Sequence, residues 1–260
     1  MSKNIVLCLK PINTRLLEMA NKTEQDPFQM NPYDCMALKN LVSLKNTNND
    51  IKIICVCMGS KSAECILRRA IALGADETYL VSDRLFAGSD TVATTYILSE
   101  AIKKFDNIIA IVCGVKSIYG ETGQVPQGLG ERLGIHRVIS ADEVTAISDS
   151  DINYKRIDDY KIYLMQTKLP VIIRYNSFKT EPDNISLMAL KRAKKKEIHY
   201  LNAEDLYTDT MRCGLKGSRT KVRETSNRFE KKDKIIINGT VAEIAKSIKS
   251  IIENGKVVEV

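Results

Sequence analysis

The sequence predicts a doubly wound α/β fold, a mostly parallel sheet with helices on both faces, extended by antiparallel strands and a C-terminal arm. Two observations carry this. Over the first 135 residues, short apolar β-rich runs alternate with segments of helical period, and strand–helix alternation builds parallel sheets. After His136 the runs shorten and alternate apolar with polar residues, as antiparallel strands do.

The first strands are expected at Ile5–Leu9, Ile51–Cys57, Glu77–Val81 and Asn107–Cys113, with helices at Asp34–Lys45, Ser60–Leu73, Thr91–Phe105 and Gly123–Leu133. Gly74 follows the second helix as a C-cap. In the third helix Ala93, Ile97, Ala101 and Phe105 recur every four residues as a core-facing stripe, and Ser89 or Asp90 offers an N-cap oxygen. Beyond His136, "RVISADEVTAI", "INYKRI", "YKIYLMQTKL" and "VIIRYN" read as antiparallel strands, the last starting after Pro170. The basic run "LKRAKKKEI" (Leu190 to Ile198) follows. The stretch from Asn202 to Asp233 is too poor in apolar residues to fold alone, and reads as an arm lying across another protein. An amphipathic helix over Val241–Asn254 ends the chain, so residues 1–200 form the α/β domain and 201–260 the arm.

With 260 residues, 44% hydrophobic and 27% charged, the chain can bury one large core, or one core and a smaller appendage. Its apolar runs, such as Ile108 to Cys113, fall far short of the roughly 20 residues that span a bilayer, and Met1-Ser2-Lys3 leads straight into a strand. The expected location is the cytoplasm, without membrane insertion. Seven cysteines without regular spacing make no disulfide framework, and Cys55 and Cys57 on one strand face read as buried hydrophobes. His136 and His199 are remote from any cysteine pair, so no metal is expected. The net charge of +7 gathers in runs without interleaved aromatics, which argues against nucleic acid and for a solvated face or a dock for an acidic protein.

In a doubly wound sheet, ligands bind outside the carboxyl ends of the strands. Four loops leave such ends: Cys8 to Pro11, Met58 to Lys61, Ser82 to Thr91 and Cys113 to Val125. The last holds Gly114, Gly120 and Gly123 between a buried strand and a helix start, where an ordinary turn would need one glycine. Glycines let backbone N–H groups approach a phosphate, the helix N-terminus adds positive charge, and Lys116 can neutralise the remainder. Neither familiar nucleotide fingerprint is present: G-x-x-x-x-G-K-S/T is absent, and "GLGERLG" has Leu133 in the third glycine position. In "SDRLFAGSDTVATT", Thr91, Thr94 and Thr95 share one helical edge and Gly88 clears space before them. Asp90 suits a ribose or ribityl hydroxyl, or simple capping.

At these residues the sequence resembles the β subunit of an electron transfer flavoprotein. "NPYDCMALKNLVSLK", "MGSKSAECILRRAIALGADETYLVSDRLFAGSDTVATTYIL", "GVKSIYGETGQVPQGLGERLG" and "KRAKKKEI" carry the likeness in order over residues 4 to 200, and "GLKGSRT" extends it into the arm. The resemblance implies a Rossmann-like, adenine-nucleotide-binding domain paired with an α subunit that holds its own FAD. Simpler members keep an AMP in the β subunit. Electron-bifurcating members hold a second FAD, reduced by NADH, and "DRLFAGSDTVATTY" is similar to that form, which implies FAD here. By the same resemblance Cys8, Asn31, Tyr33, Asp34, Met58 and the segment Cys113, Gly114, Lys116, Gly120, Glu121, Thr122, Gly123, Gln124, Val125 match the adenosine-diphosphate part of the site. Asp83, Gly88, Asp90, Thr91, Thr94 and Thr95 match the flavin side, and Leu187 the loop that touches acyl-CoA dehydrogenase-type partners. One departure is that D-G-D-T-A-Q-V-G-P reads here as Tyr119-Gly120-Glu121-Thr122-Gly123-Gln124-Val125-Pro126-Gln127, and Pro126 removes one N–H from the first turn of the helix. The resemblance implies an electron carrier that works only with its α partner, passing electrons to the α-subunit FAD and to ferredoxin or flavodoxin, with no catalytic side chain of its own. The alternatives are an AMP-binding, non-bifurcating carrier and a non-redox adenine-nucleotide-binding regulator.

Overall fold

The computed structural model describes residues 3–13, 28–48, 50–117, 122–178, 185–224 and 236–254. The chain forms two compact units, Met1–Lys221 and Val222–Val260. In the first unit the order is β1 (Lys3–Leu9), β2 (Pro11–Asn13), β3 (Phe28–Met30), α1 (Pro32–Thr47), β4 (Ile51–Met58), α2 (Glu64–Leu73), β5 (Glu77–Val81), α3 (Thr91–Ile102), β6 (Ile108–Gly114) and α4 (Val125–Leu133). Then come β7 (Val138–Ala141), β8 (Glu143–Ile147), β9 (Asp151–Ile157), β10 (Ile162–Lys168), β11 (Val171–Tyr175), α5 (Leu187–Lys195), β12 (His199–Leu201) and a single helical turn, α6 (Gly214–Gly217).

Seven strands make one parallel sheet in the order β12-β5-β4-β1-β6-β11-β7. Strand alternation divides its side chains between two cores. Ile5, Leu7 and Leu9 of β1, with Ile53, Cys55 and Cys57 of β4, pack on Leu38, Leu41, Ile66 and Leu67 of α1 and α2. Val6, Cys8, Ile54 and Val56 face the other way, onto Ile97, Leu98 and Leu129 of α3 and α4. The chain leaves β1 toward β4 and enters β6 on β1's opposite side, so the connections diverge at the β1/β6 crevice. That is where an open α/β sheet offers a ligand cleft.

Three expectations change. "VIIRYN" and the first half of "RVISADEVTAI" are not antiparallel: β11 and β7 are parallel strands of the main sheet, and only β8, β9 and β10 form a separate antiparallel sheet. Val171, Ile172 and Ile173 are all fully buried, as a strand covered on both faces requires. α3 ends at Ile102, and Phe105 instead meets the Tyr79 ring at 4.7 Å. The polar stretch after Asn202 does not leave the domain at once. Ala203, Leu206 and Cys213 are buried in the α3/α4 core, and the first unit runs to Lys221 rather than ending at residue 200.

The antiparallel sheet leaves β10 exposed, including Ile162 and Leu164, beside exposed Ile157 and Tyr160. α5 packs on α2 through Arg68, whose guanidinium donates to the Ala193 carbonyl at 2.8 Å and also reaches those of Lys194 and Lys196. In the second unit α7 (Val241–Asn254) opens on a capping box: the Glu243 carboxylate accepts from the Thr240 N–H at 2.7 Å, and the Glu243 N–H donates to the Thr240 hydroxyl at 3.4 Å. Among the described residues no helix is long and apolar enough to cross a membrane.

Candidate functional site

The β1/β6 crevice is organised by Asp34 in the first turn of α1. Its Oδ2 accepts from the Lys10 N–H at 2.7 Å, and its Oδ1 accepts from the Gly114 N–H at 3.0 Å and from Asn31 Nδ2 at 3.1 Å. One carboxyl thus ties the tip of β1 to the tip of β6. Burial pushes it up to about 7, against the pull of the Lys10, Asn31 and Gly114 donors. A Cβ on Gly114 would stand 2.4 Å from Asp34 Oδ1 and 2.8 Å from Tyr33 Cβ, so glycine is required there. Asn31 Nδ2 also donates to the Lys116 carbonyl at 3.0 Å, which draws the glycine loop onto this corner.

The loop after β6 closes on the α3 side. The Thr91 hydroxyl donates to that of Thr122 at 3.2 Å, so the two ligand loops meet. Gly123 has φ +60, and a Cβ there would stand 3.0 Å from the Val115 carbonyl, so the turn favours glycine. Gln124 and Val125 then start α4, with Pro126 in its first turn. Gly120 and Glu121 lie outside the described residues. Met58 is half-buried at the tip of β4. Cys8 and Cys113 are register partners with thiols in the α3/α4 core, so what they present to the crevice is backbone.

On the turn between β5 and α3 the carboxylates serve the chain itself. Asp83 accepts from the Leu85 N–H at 2.9 Å and from the Ala203 N–H at 3.1 Å. Asp90 caps α3 through Oδ1, which accepts from the Val92 and Ala93 N–H groups at 2.9 and 3.0 Å. Its Oδ2 accepts from the Arg219 and Thr220 N–H groups at 2.7 and 2.9 Å and from the Thr220 hydroxyl at 3.1 Å. Burial opposes its ionisation, but the Ala93, Thr220 and Arg219 donors hold it below the usual carboxylate range. Asp90 is therefore a cap and a clamp, with both oxygens in use. Gly88, at φ +72, does not leave its Cβ side open: a Cβ there would lie 2.6 Å from Leu215 Cδ2. Its other face stays exposed. The threonine edge is split as well, because Thr95 is buried against Gly128 of α4 and its hydroxyl donates to the Val92 carbonyl at 3.0 Å. Thr91 and Thr94 remain half-buried at the rim. Leu187 is elsewhere, 78% exposed at the start of α5 beside exposed Met188 and Leu190.

A sequence profile of the electron transfer flavoprotein domain matches residues 21–206. The electron transfer flavoprotein subunit beta of Thermoanaerobacterium thermosaccharolyticum is 35% identical over 94% of this chain and 96% of its own. That of Megasphaera elsdenii is 34% identical over 76% of this chain and 75% of its own. The chain belongs to the electron transfer flavoprotein β-subunit family. The caffeyl-CoA reductase-Etf complex subunit CarD of Acetobacterium woodii is a further relative, 30% identical over 95% of this chain and 96% of its own.

The crevice of this electron transfer flavoprotein β subunit fits a nucleotide on its own chemistry. Among the described residues, buried Asn31 Oδ1, Gln127 Oε1, Arg174 Nε and Asn176 Oδ1 have no hydrogen-bond partner, and such atoms call for a ligand or water. Asn31 lies at the β1/β6 tips, Gln127 in the first turn of α4, and Arg174 and Asn176 at the end of β11. A Cβ on Gly123 would come 3.8 Å from an Arg174 terminal nitrogen, so this guanidinium stands at the glycine turn. Sequence reasoning missed Arg174 and Asn176, because the assignment of β11 to an antiparallel sheet moved its end away from the cleft, and it met Gln127 only as part of the departure beside Pro126. The available signal was an arginine closing the buried run "VIIRY".

Proposed function

We propose that this chain is the FAD-holding β subunit of an electron-bifurcating electron transfer flavoprotein. The single observation that carries the nucleotide reading is the set of buried, unpartnered polar atoms at the tips of β1 and β11 and in the first turn of α4, beside Gly114 and the Gly123 turn. In this reading the Lys10–Asp34–Gly114 bonds hold the crevice open. The backbone of residues 113–116 and 122–125 faces the diphosphate, and the Arg174 guanidinium balances its charge. Thr91, Thr94 and the exposed face of Gly88 border the ring side. FAD, when bound, supplies acceptance of a hydride from NADH and delivery of single electrons to the α-subunit FAD and to ferredoxin or flavodoxin. The protein groups bind, orient and exclude water.

Two surfaces support the partner part of the reading. Electron transfer flavoprotein β subunits pair with an α subunit, and the exposed apolar face of β10 with Ile157, Ile162 and Leu164 is the kind of surface a permanent partner covers. At the start of α5, exposed Leu187, Met188 and Leu190 form a second apolar patch, followed by Lys191, Arg192, Lys194 and Lys195, suited to an acyl-CoA dehydrogenase-type flavoenzyme with an acidic rim. That one relative is named as a subunit of a caffeyl-CoA reductase complex agrees with such a partner.

A second reading, an AMP-holding carrier, draws on Leu215 against Gly88 and on the full commitment of Asp90, which narrow the ring side. Co-purification with the α subunit and counting of released nucleotides separates the two. Two FAD per heterodimer is the expected result; one FAD and one AMP overturns the bifurcating assignment.

A further inference from the structure

The side chains of Arg132, Arg212, Lys216 and Arg219 border one cavity of about 320 Å³ whose floor includes Val92 and Tyr96 of α3. None of the residues gathered at the β1/β6 tips lines it. Arg132 and Arg212 are held there by side-chain contacts, and the segment bearing Lys216 and Arg219 by its backbone. Arg132, in the last turn of α4, donates from Nε to the Thr95 hydroxyl and from a terminal nitrogen to the Val92 carbonyl, both at 3.1 Å. The guanidinium of Arg212 lies 3.9 Å over the Tyr96 ring, whose hydroxyl accepts from the Asp209 N–H at 2.9 Å. Lys216 and Arg219 flank Gly217 and Ser218, and Asp90 fixes that flank by accepting from the Arg219 and Thr220 N–H groups.

Among the described residues none of the four cations forms an ion pair. The consequence registers on Arg132, whose ordinary basicity is lowered by burial and then by the charge of Arg212, against the smaller opposing pull of Tyr96 and Glu100. Like charges crowded around a concavity repel, and an anion bound among them reverses that cost. Two planar guanidiniums offer forked donors to phosphoryl oxygens, and the lysine adds a point charge. Four cations exceed what one phosphate uses, while the volume is at the low end of ligand sites.

We propose that this cavity is a binding site for the diphosphate group of a small molecule, separate from the nucleotide crevice at the strand tips. The site stands on the four cations and Tyr96, whichever nucleotide the crevice holds.

The test is calorimetric titration of the intact complex of this chain with its α subunit, using inorganic pyrophosphate and, separately, ADP-ribose. Saturable binding of one equivalent is expected, weakened at least about tenfold by Arg212→Gln combined with Lys216→Gln. Both side chains are exposed, so melting temperature and tightly held nucleotide stay unchanged. Lys194→Gln with Lys195→Gln, on the remote basic helix, leaves binding intact. ADP-ribose binding tighter than pyrophosphate identifies the group as part of a nucleotide; the reverse identifies a free diphosphate. Failure of both probes to saturate, as when an acidic segment of the α subunit already fills the cavity, overturns the proposal. So does binding that survives the double substitution.

Discussion

Asp34 and Asp90 both stand where the chain leaves the sheet, and both accept N–H groups from segments distant in sequence. Asp34 is sealed between the β1 and β6 tips, and burial raises its pKa to about 7. Asp90 is near the surface at the start of α3, and its donors lower its pKa. The first fastens two strand tips; the second fastens residues 219–220 to a helix. The contrast teaches that a carboxylate beside a candidate ligand crevice need not be a ligand-binding group. Here both are spent on donors of the chain itself, which leaves amide and guanidinium groups as the recognition chemistry of the proposed site.

The comparison is most sharply tested by pH. Because the Asp34 pKa is raised from 3.8 to about 7, the folded state holds its proton more tightly than the unfolded chain. Stability therefore falls as pH rises from about 4 to about 7, by on the order of 4 kcal/mol, and is flat above that range. Asp90 has the opposite sign, its contribution disappearing only in acid as pH falls through its lowered pKa. Urea denaturation across pH 4 to 8 reads the slope, and Asp34→Asn removes it; a slope that persists in that variant breaks the assignment.

Next in size is Gly114→Ala. Its methyl would meet Asp34 Oδ1 at 2.4 Å and must part the strand tips, at a cost of about 3 kcal/mol in thermal or urea unfolding. Bound nucleotide is expected to be lost with it. Asp90→Ala is milder, about 1 kcal/mol for the lost helix cap. It also frees the backbone of Arg219 and Thr220, so tryptic cleavage after Arg219 accelerates while nucleotide content holds. The smallest effect belongs to Arg174→Gln, whose side chain makes no hydrogen bond among the described residues. Stability changes by less than about 0.5 kcal/mol, whereas nucleotide dissociation, followed by flavin fluorescence, becomes faster; unchanged dissociation removes Arg174 from the site.

How much of this was legible in the sequence follows from distance along the chain. β1, β4, β5 and β6 with their helices lie close to their expected bounds, because period and turn residues are local signals. β12 was missed, having only three residues. β11 was assigned to the wrong sheet although three consecutive buried residues already mark a two-faced strand. Gly114 and Gly123 of the β6 loop were legible as close-approach positions, while Gly120 lies outside the described residues. The duties of Asp83, Asp90 and Gly88 were not, since their partners Ala203, Arg219, Thr220 and Leu215 arrive from a segment more than 100 residues later, which composition alone assigned to a detached arm.

Arg68 has a consequence for how this surface can change. By gripping the final carbonyls of α5 while pairing with Glu64 at 2.8 Å, it anchors that helix to α2 from behind. The outward residues Leu187, Met188 and Leu190 are thereby relieved of any duty in the core. Under the docking role proposed for this patch, substitutions among them retune which protein is met without eroding the scaffold, so specificity and foldedness vary independently at this corner of the molecule.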